Sequence, residues 1–105
     1  MLYRFKGGSD GQYPQGLLAI NGVLYATTYI GGSGKCALGC GTIFKMDASG
    51  EKTVLYDFKA PPDGAEPHAR LAFANGKLYG TTVAGGPYCP YEIPSGCGTV
   101  FSISP

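Results

Sequence analysis

The sequence predicts an all-β protein built from two copies of one four-stranded antiparallel unit. Three observations lead there: glycine supplies 18 of the 105 residues, charged residues only 14%, and the chain repeats itself. Abundant glycine with sparse charge suits short strands joined by tight turns better than helices with solvated faces. The repeat sets the architecture, because self-similarity at a fixed period marks stacked supersecondary units.

The opening segment, Leu2-Tyr3-Arg4-Phe5-Lys6, recurs as Leu55-Tyr56-Asp57-Phe58-Lys59, and Asp10-Gly11 with Pro14 recurs as Asp63-Gly64 with Pro67, both at an offset of 53. The register then slips by one, so that Asn21-Gly22-Val23-Leu24-Tyr25-Ala26-Thr27-Thr28 matches Asn75-Gly76-Lys77-Leu78-Tyr79-Gly80-Thr81-Thr82, followed by Gly31-Gly32 against Gly85-Gly86. Gly39-Cys40-Gly41-Thr42-Ile43-Phe44 matches Gly96-Cys97-Gly98-Thr99-Val100-Phe101 at an offset of 57. Most of the length difference therefore falls just before that motif, which marks a loop. One module, 1–105, holds repeat 1 at about 2–54 and repeat 2 at about 55–105.

Within repeat 1, residues 17–20 form the first β-prone run. Asn21-Gly22 follows, a pair whose easy positive φ suits a two-residue hairpin, and then the second run at 23–29. Its apolar alternation is mixed, which predicts that both faces are covered. A Gly-rich loop leads to the third run at 42–46, a turn at Asp47-Ala48-Ser49-Gly50, and the fourth run at 53–58.

A four-stranded unit of this length in tandem is the signature of a β-propeller blade. The chain opens on the equivalent of a fourth strand, at 2–5, and closes on the equivalent of a third, at 99–103, so the terminal blade is split between the chain ends. That split predicts a head-to-tail homo-oligomer in which 2–5 of one copy completes the blade ending at 103 of its neighbour. Propellers usually have about 4 to 8 blades. A trimer is preferred over a tetramer or dimer, and a fragment of a longer propeller is the alternative.

Leu-Tyr-(Gly/Ala)-Thr-Thr, Gly-Gly, Gly-Thr-(Ile/Val)-Phe, Leu-Tyr-x-Phe and Asp-Gly-x-x-Pro, each present twice, together resemble the GloVer repeat of bacterial surface-associated proteins. The resemblance implies propeller blades and a bacterial extracellular, cell-surface or periplasmic setting. It brings no activity with it. In architecture alone the chain is similar to small bacterial lectins whose two-blade chains trimerise and bind sugars between blades.

A net charge of +1 gives no electrostatic footprint for nucleic acid or anionic membrane. No apolar run is long enough to span a bilayer, and the first residues carry no signal-peptide pattern. Cys36 and Cys40, like Cys89 and Cys97, share equivalent loops. Four cysteines permit three pairings; the pairing within each loop is expected, and it implies an oxidising compartment. Their unequal spacings match no familiar zinc ribbon or finger, so neither a metal nor a cofactor is expected.

His68 lies in Asp63-Gly64-Ala65-Glu66-Pro67-His68, where repeat 1 has Tyr13 and Gln15 at the positions of Glu66 and His68. That mismatch favours an exposed polar turn over acid–base chemistry. Asp10 and Asp63 suit Asx turns and are also candidate ligand-binding residues. Tyr13, Tyr29, Tyr88 and Tyr91, at loops or strand ends, are further candidates, since tyrosine offers flat amphipathic surface to sugars or proteins. No catalytic motif occurs. The expected function is a non-catalytic binding module for a glycan or other surface ligand; the alternative is a structural repeat unit without a ligand of its own.

Overall fold

The computed structural model describes residues 3–34, 36, 39–59, 65–84 and 98–105. These form two antiparallel sheets and one 3-10 turn at Gly8–Asp10. The first sheet contains β1 (Gln12–Pro14), β2 (Leu18–Ile20), β3 (Val23–Ile30), β4 (Thr42–Met46) and β5 (Lys52–Asp57). The second contains β6 (Ala65–Pro67), β7 (Ala72–Ala74), β8 (Lys77–Ala84) and β9 (Thr99–Ile103). Among the described residues the sheets stay separate and close no barrel.

β1 and β2 lie end to end along one edge of β3. Gln12 and Pro14 pair with Ile30 and Thr28, while Leu18, Ala19 and Ile20 pair with Tyr25, Leu24 and Val23. Between them the Gln15 amide donates to the Thr27 carbonyl at 2.8 Å. The two pieces thus act as one interrupted strand, and the sheet is a four-stranded meander. β6 and β7 share an edge of β8 in the same manner, with β9 on its other side.

The interruption comes from the backbone. Tyr13 (φ 55°) and Glu66 (φ 58°) occupy equivalent positions in the left-handed region, each directly before a proline. Bulky residues rarely adopt that region, and the residue before proline is ordinarily extended. The hairpin tips use positive φ more cheaply, at Asn21-Gly22 (51°, 81°) and Asn75-Gly76 (49°, 77°), as the sequence predicts. At the β4–β5 turn the Asp47 carboxylate accepts from the Ser49 hydroxyl at 2.6 Å, the Ser49 amide at 2.9 Å and the Glu51 amide at 3.1 Å. The Ser49 hydroxyl and then the Glu51 amide hold the Asp47 carboxyl below its ordinary range.

The Thr-Thr and Gly-Thr motifs do the same work in both units. Thr28 and Thr42 pair hydroxyl to hydroxyl at 2.8 Å across β3 and β4, and Thr82 and Thr99 do so at 2.7 Å across β8 and β9. In each unit the amide of the later threonine donates to the earlier hydroxyl at 3.0 Å. Cross-strand threonines of this kind are a recognised unit of sheet stabilisation.

Strand alternation gives each sheet two faces. On the first sheet, Leu24, Ala26, Phe44 and Met46 mark what we term the leading face, while Tyr25, Thr27 and Ile43 mark the trailing face. The trailing face packs against Leu71, Leu78 and Phe101 of the second unit to form the main apolar cluster. Tyr25, Ala26, Thr27 and Thr28 are consecutively buried, in keeping with the mixed pattern of their sequence. Phe58, just after β5, reaches across to Phe101 with ring centroids 5.3 Å apart.

Residues 3–6 carry no strand pairing. Tyr3 and Phe5 lie on the leading face of the first sheet, against Leu24, Ala26, Phe44 and Met46. Phe5 meets Phe44 at 5.3 Å. Because Phe5 is the repeat equivalent of Phe58 and Phe44 that of Phe101, the opening segment reproduces the contact between the two units.

Candidate functional site

Three features stand out: a polar group at the mouth of the seam between the units, an ion pair beneath the opening segment, and an apolar cavity on the leading face of the first sheet.

At the seam, the disulfide Cys36–Cys40 staples the loop that leads into β4. This is the pairing expected within one loop; Cys89 and Cys97 lie outside the described residues. Gly39 has φ 80°, and a Cβ there would fall inside the Gly31 backbone, so the loop tolerates no side chain at that point. The Cys40 carbonyl accepts the Glu66 amide at 2.7 Å. The left-handed backbone at Glu66 thereby ties the second unit to the stapled loop of the first.

The same turn brings Glu66 and His68 to Tyr29 at the end of β3. The Tyr29 and His68 rings sit 5.1 Å apart, edge to face. The neighbouring Glu66 carboxylate, partial burial and a hydrogen bond to Glu66 raise the Tyr29 pKa above its ordinary value. The sequence marks Tyr29 as a candidate and sets Glu66 and His68 aside, because they lack counterparts in repeat 1. That comparison is blind to a pairing between units: Tyr29 comes from the first and its partners from the second. Together they offer a phenol, a carboxylate and an imidazole, able to hydrogen-bond a hydroxyl-rich ligand.

Asp10 sits elsewhere, below the opening segment. Its carboxylate accepts from Tyr3, from the Lys6 amide at 3.0 Å and from the Lys52 ammonium at 2.8 Å. Lys52 also donates to the Asp10 carbonyl at 2.8 Å and lies 5.2 Å from the Phe5 ring centroid. Burial pushes the Asp10 carboxyl up, but the hydrogen bonds from Lys52, Tyr3 and the Lys6 amide outweigh it and hold its pKa at about 2. The carboxylate is committed to protein partners and fastens the opening segment to the sheet. Tyr13, on its strained backbone, is 62% exposed, and its carbonyl accepts from the Gln15 side chain at 2.9 Å. Asp63, Tyr88 and Tyr91 lie outside the described residues. The register of β1 on β3 sets Tyr13 opposite Tyr29.

The apolar cavity, about 530 Å³, is lined by Tyr3, Phe5, Leu17, Leu24, Phe44 and Met46 among others. A second cavity of about 310 Å³ lies in the seam, with Ile43, Tyr56, Phe58, Phe101 and Ile103 on its walls. Tyr56, Phe58, Phe101 and Ile103 are the repeat equivalents of Tyr3, Phe5, Phe44 and Met46. The cavity on the leading face is thus the counterpart of a surface that, in the second unit, is covered by the first.

Among the described residues no helix is long and apolar enough to cross a membrane. A family model for the Gloeobacter/Verrucomicrobia repeat matches residues 1–105. No curated protein and no solved structure matches the chain.

Proposed function

The chain belongs to the Gloeobacter/Verrucomicrobia repeat family, and from that premise we propose that its work is structural. It is a non-catalytic pair of propeller-type blades whose faces are made to stack on further units of the same kind. One observation carries this reading: Phe5 on Phe44 repeats Phe58 on Phe101 at the same 5.3 Å separation. Each leading face therefore receives the equivalent segment of a preceding unit. Repeat arrays gain stability from nearest-neighbour interfaces as well as from each repeat. Two, three or four chains would supply four, six or eight blades, and a six-bladed ring of three chains is the preferred closure. The disulfide suits an oxidising compartment, and the family suggests a bacterial surface or periplasmic one.

Two chains joined in tandem test the stacking. The tandem is expected to unfold at a clearly higher guanidinium midpoint than the single chain, because a leading and a trailing face are then covered. Coincident unfolding curves would overturn the proposal.

A second reading, recognition of a glycan at the seam, is favoured by the meeting of Tyr29, Glu66 and His68. On a glycan array, wild-type binding that Tyr29→Ala removes would support it. Binding that persists in that variant, or no binding by the wild type, would refute it.

A further inference from the structure

The two units use the same residues in different surroundings. Ile43, on the trailing face of the first sheet, is 1% exposed because the second unit covers it. Its repeat equivalent on the second sheet, Val100, is 78% exposed, and Val83 on the same face is 52% exposed. The reverse holds on the leading faces. Leu71 is 3% exposed in the seam, whereas its equivalent, Leu17, is 54% exposed at the wall of the 530 Å³ cavity. One interface is thus completed inside the chain, and its two halves recur on different units, where Leu17 on one and Val83 and Val100 on the other are left exposed.

We infer that a second copy of this chain docks head to tail. The trailing face of its second sheet, around Tyr79, Val83 and Val100, seats on the cavity around Leu17, Leu24 and Met46 of the first copy. The inference rests on the stacking reading above and names the partner. The seam within the chain is the template, and it also fixes a register. Ile43 pairs with Tyr56, and Thr42 with Asp57, between β4 and β5. The equivalent pairs across two copies are Val100 opposite Tyr3 and Thr99 opposite Arg4. Segment 3–5 of one copy then adds a strand beside β9 of the other while keeping its rings on its own first sheet, as Tyr56 and Phe58 do within the chain. A contact between unlike surfaces propagates until rotation closes it.

The test uses Val100→Glu, which spoils the docking face, and Leu17→Glu, which spoils the seat. Both positions are exposed in the single chain, so each variant should keep the wild-type circular dichroism spectrum and the melting midpoint that wild type shows when diluted to single chains. Val83→Glu and Leu17→Ala provide second versions of each lesion. By light scattering, wild type should form a species larger than one chain. Each variant alone should show single-chain mass, and an equimolar mixture at raised concentration should give a two-chain species and nothing larger, because only one good face and one good seat remain.

A mixture that stays at single-chain mass overturns the inference. So does either Glu variant alone assembling like wild type, which would place the contact at the β9 edge or with another surface. A monomeric wild type also overturns it, yet leaves the stacking proposal standing if the tandem chain is still stabilised.

Discussion

Asp10 shows how a residue that reads as a turn signal acquires a second task. Its recurrence before glycine is visible in the sequence, but its partner Lys52 is 42 residues away, and no local pattern connects them. The pair is largely shielded, with side chains 19% and 5% exposed for Asp10 and Lys52. The folded carboxyl titrates at about 2 against an ordinary 3.8. Its contribution is therefore fully present above about pH 4 and is lost as the pH falls through the folded value, about 2 kcal/mol in all. Asp10→Asn should lower stability at neutral pH by about that amount and flatten the acid limb of a denaturation–pH profile below pH 4. A profile parallel to wild type would show that the ion pair contributes little. Lys52→Met should be at least as costly, because it strands a partly buried carboxylate.

At the scale of elements, most of the four-stranded unit was legible. The runs at 17–20, 23–29, 42–46 and 53–58 correspond to β2 through β5 within a residue or two, because Asn-Gly and Asp-x-Ser-Gly punctuate them. β1 and β6 were not. Each has three residues, one of them proline, and each holds a left-handed residue that sequence patterns treat as loop. At Glu66 a bond outside the strand offsets that strain, from its amide to the stapled loop of the other unit. The staple itself closes a short loop, so removing both cysteines with Cys36→Ala and Cys40→Ala should cost only about 2 kcal/mol through the unfolded chain. The denaturant midpoint measures this. A loss several times larger would mean that the loop organises the whole seam, and no loss would mean that the glycines alone shape it.

For the whole molecule, the sequence announced two equivalent units and left open how they meet. Their shared motif residues serve two purposes, sheet and seam, and only the folded chain separates them. Thr28 with Thr42 belongs to the sheet; Phe101 and Leu71 belong to the seam, and Phe44, the equivalent of Phe101, to the leading face of the first sheet. The opening segment, expected to complete a neighbour's blade, lays its rings on the face of its own first sheet, where the same rings serve the same contact. Val100 and Leu17, 78% and 54% exposed, forgo about 1–2 kcal/mol of burial apiece, a substantial share of a small domain's stability. The fit of a trailing face to a leading face also bears on how such a chain can grow. A gene segment encoding one unit carries a docking surface and the socket that fits it, so each duplication brings a ready partner for both, and lengthening the array requires no new interface to evolve.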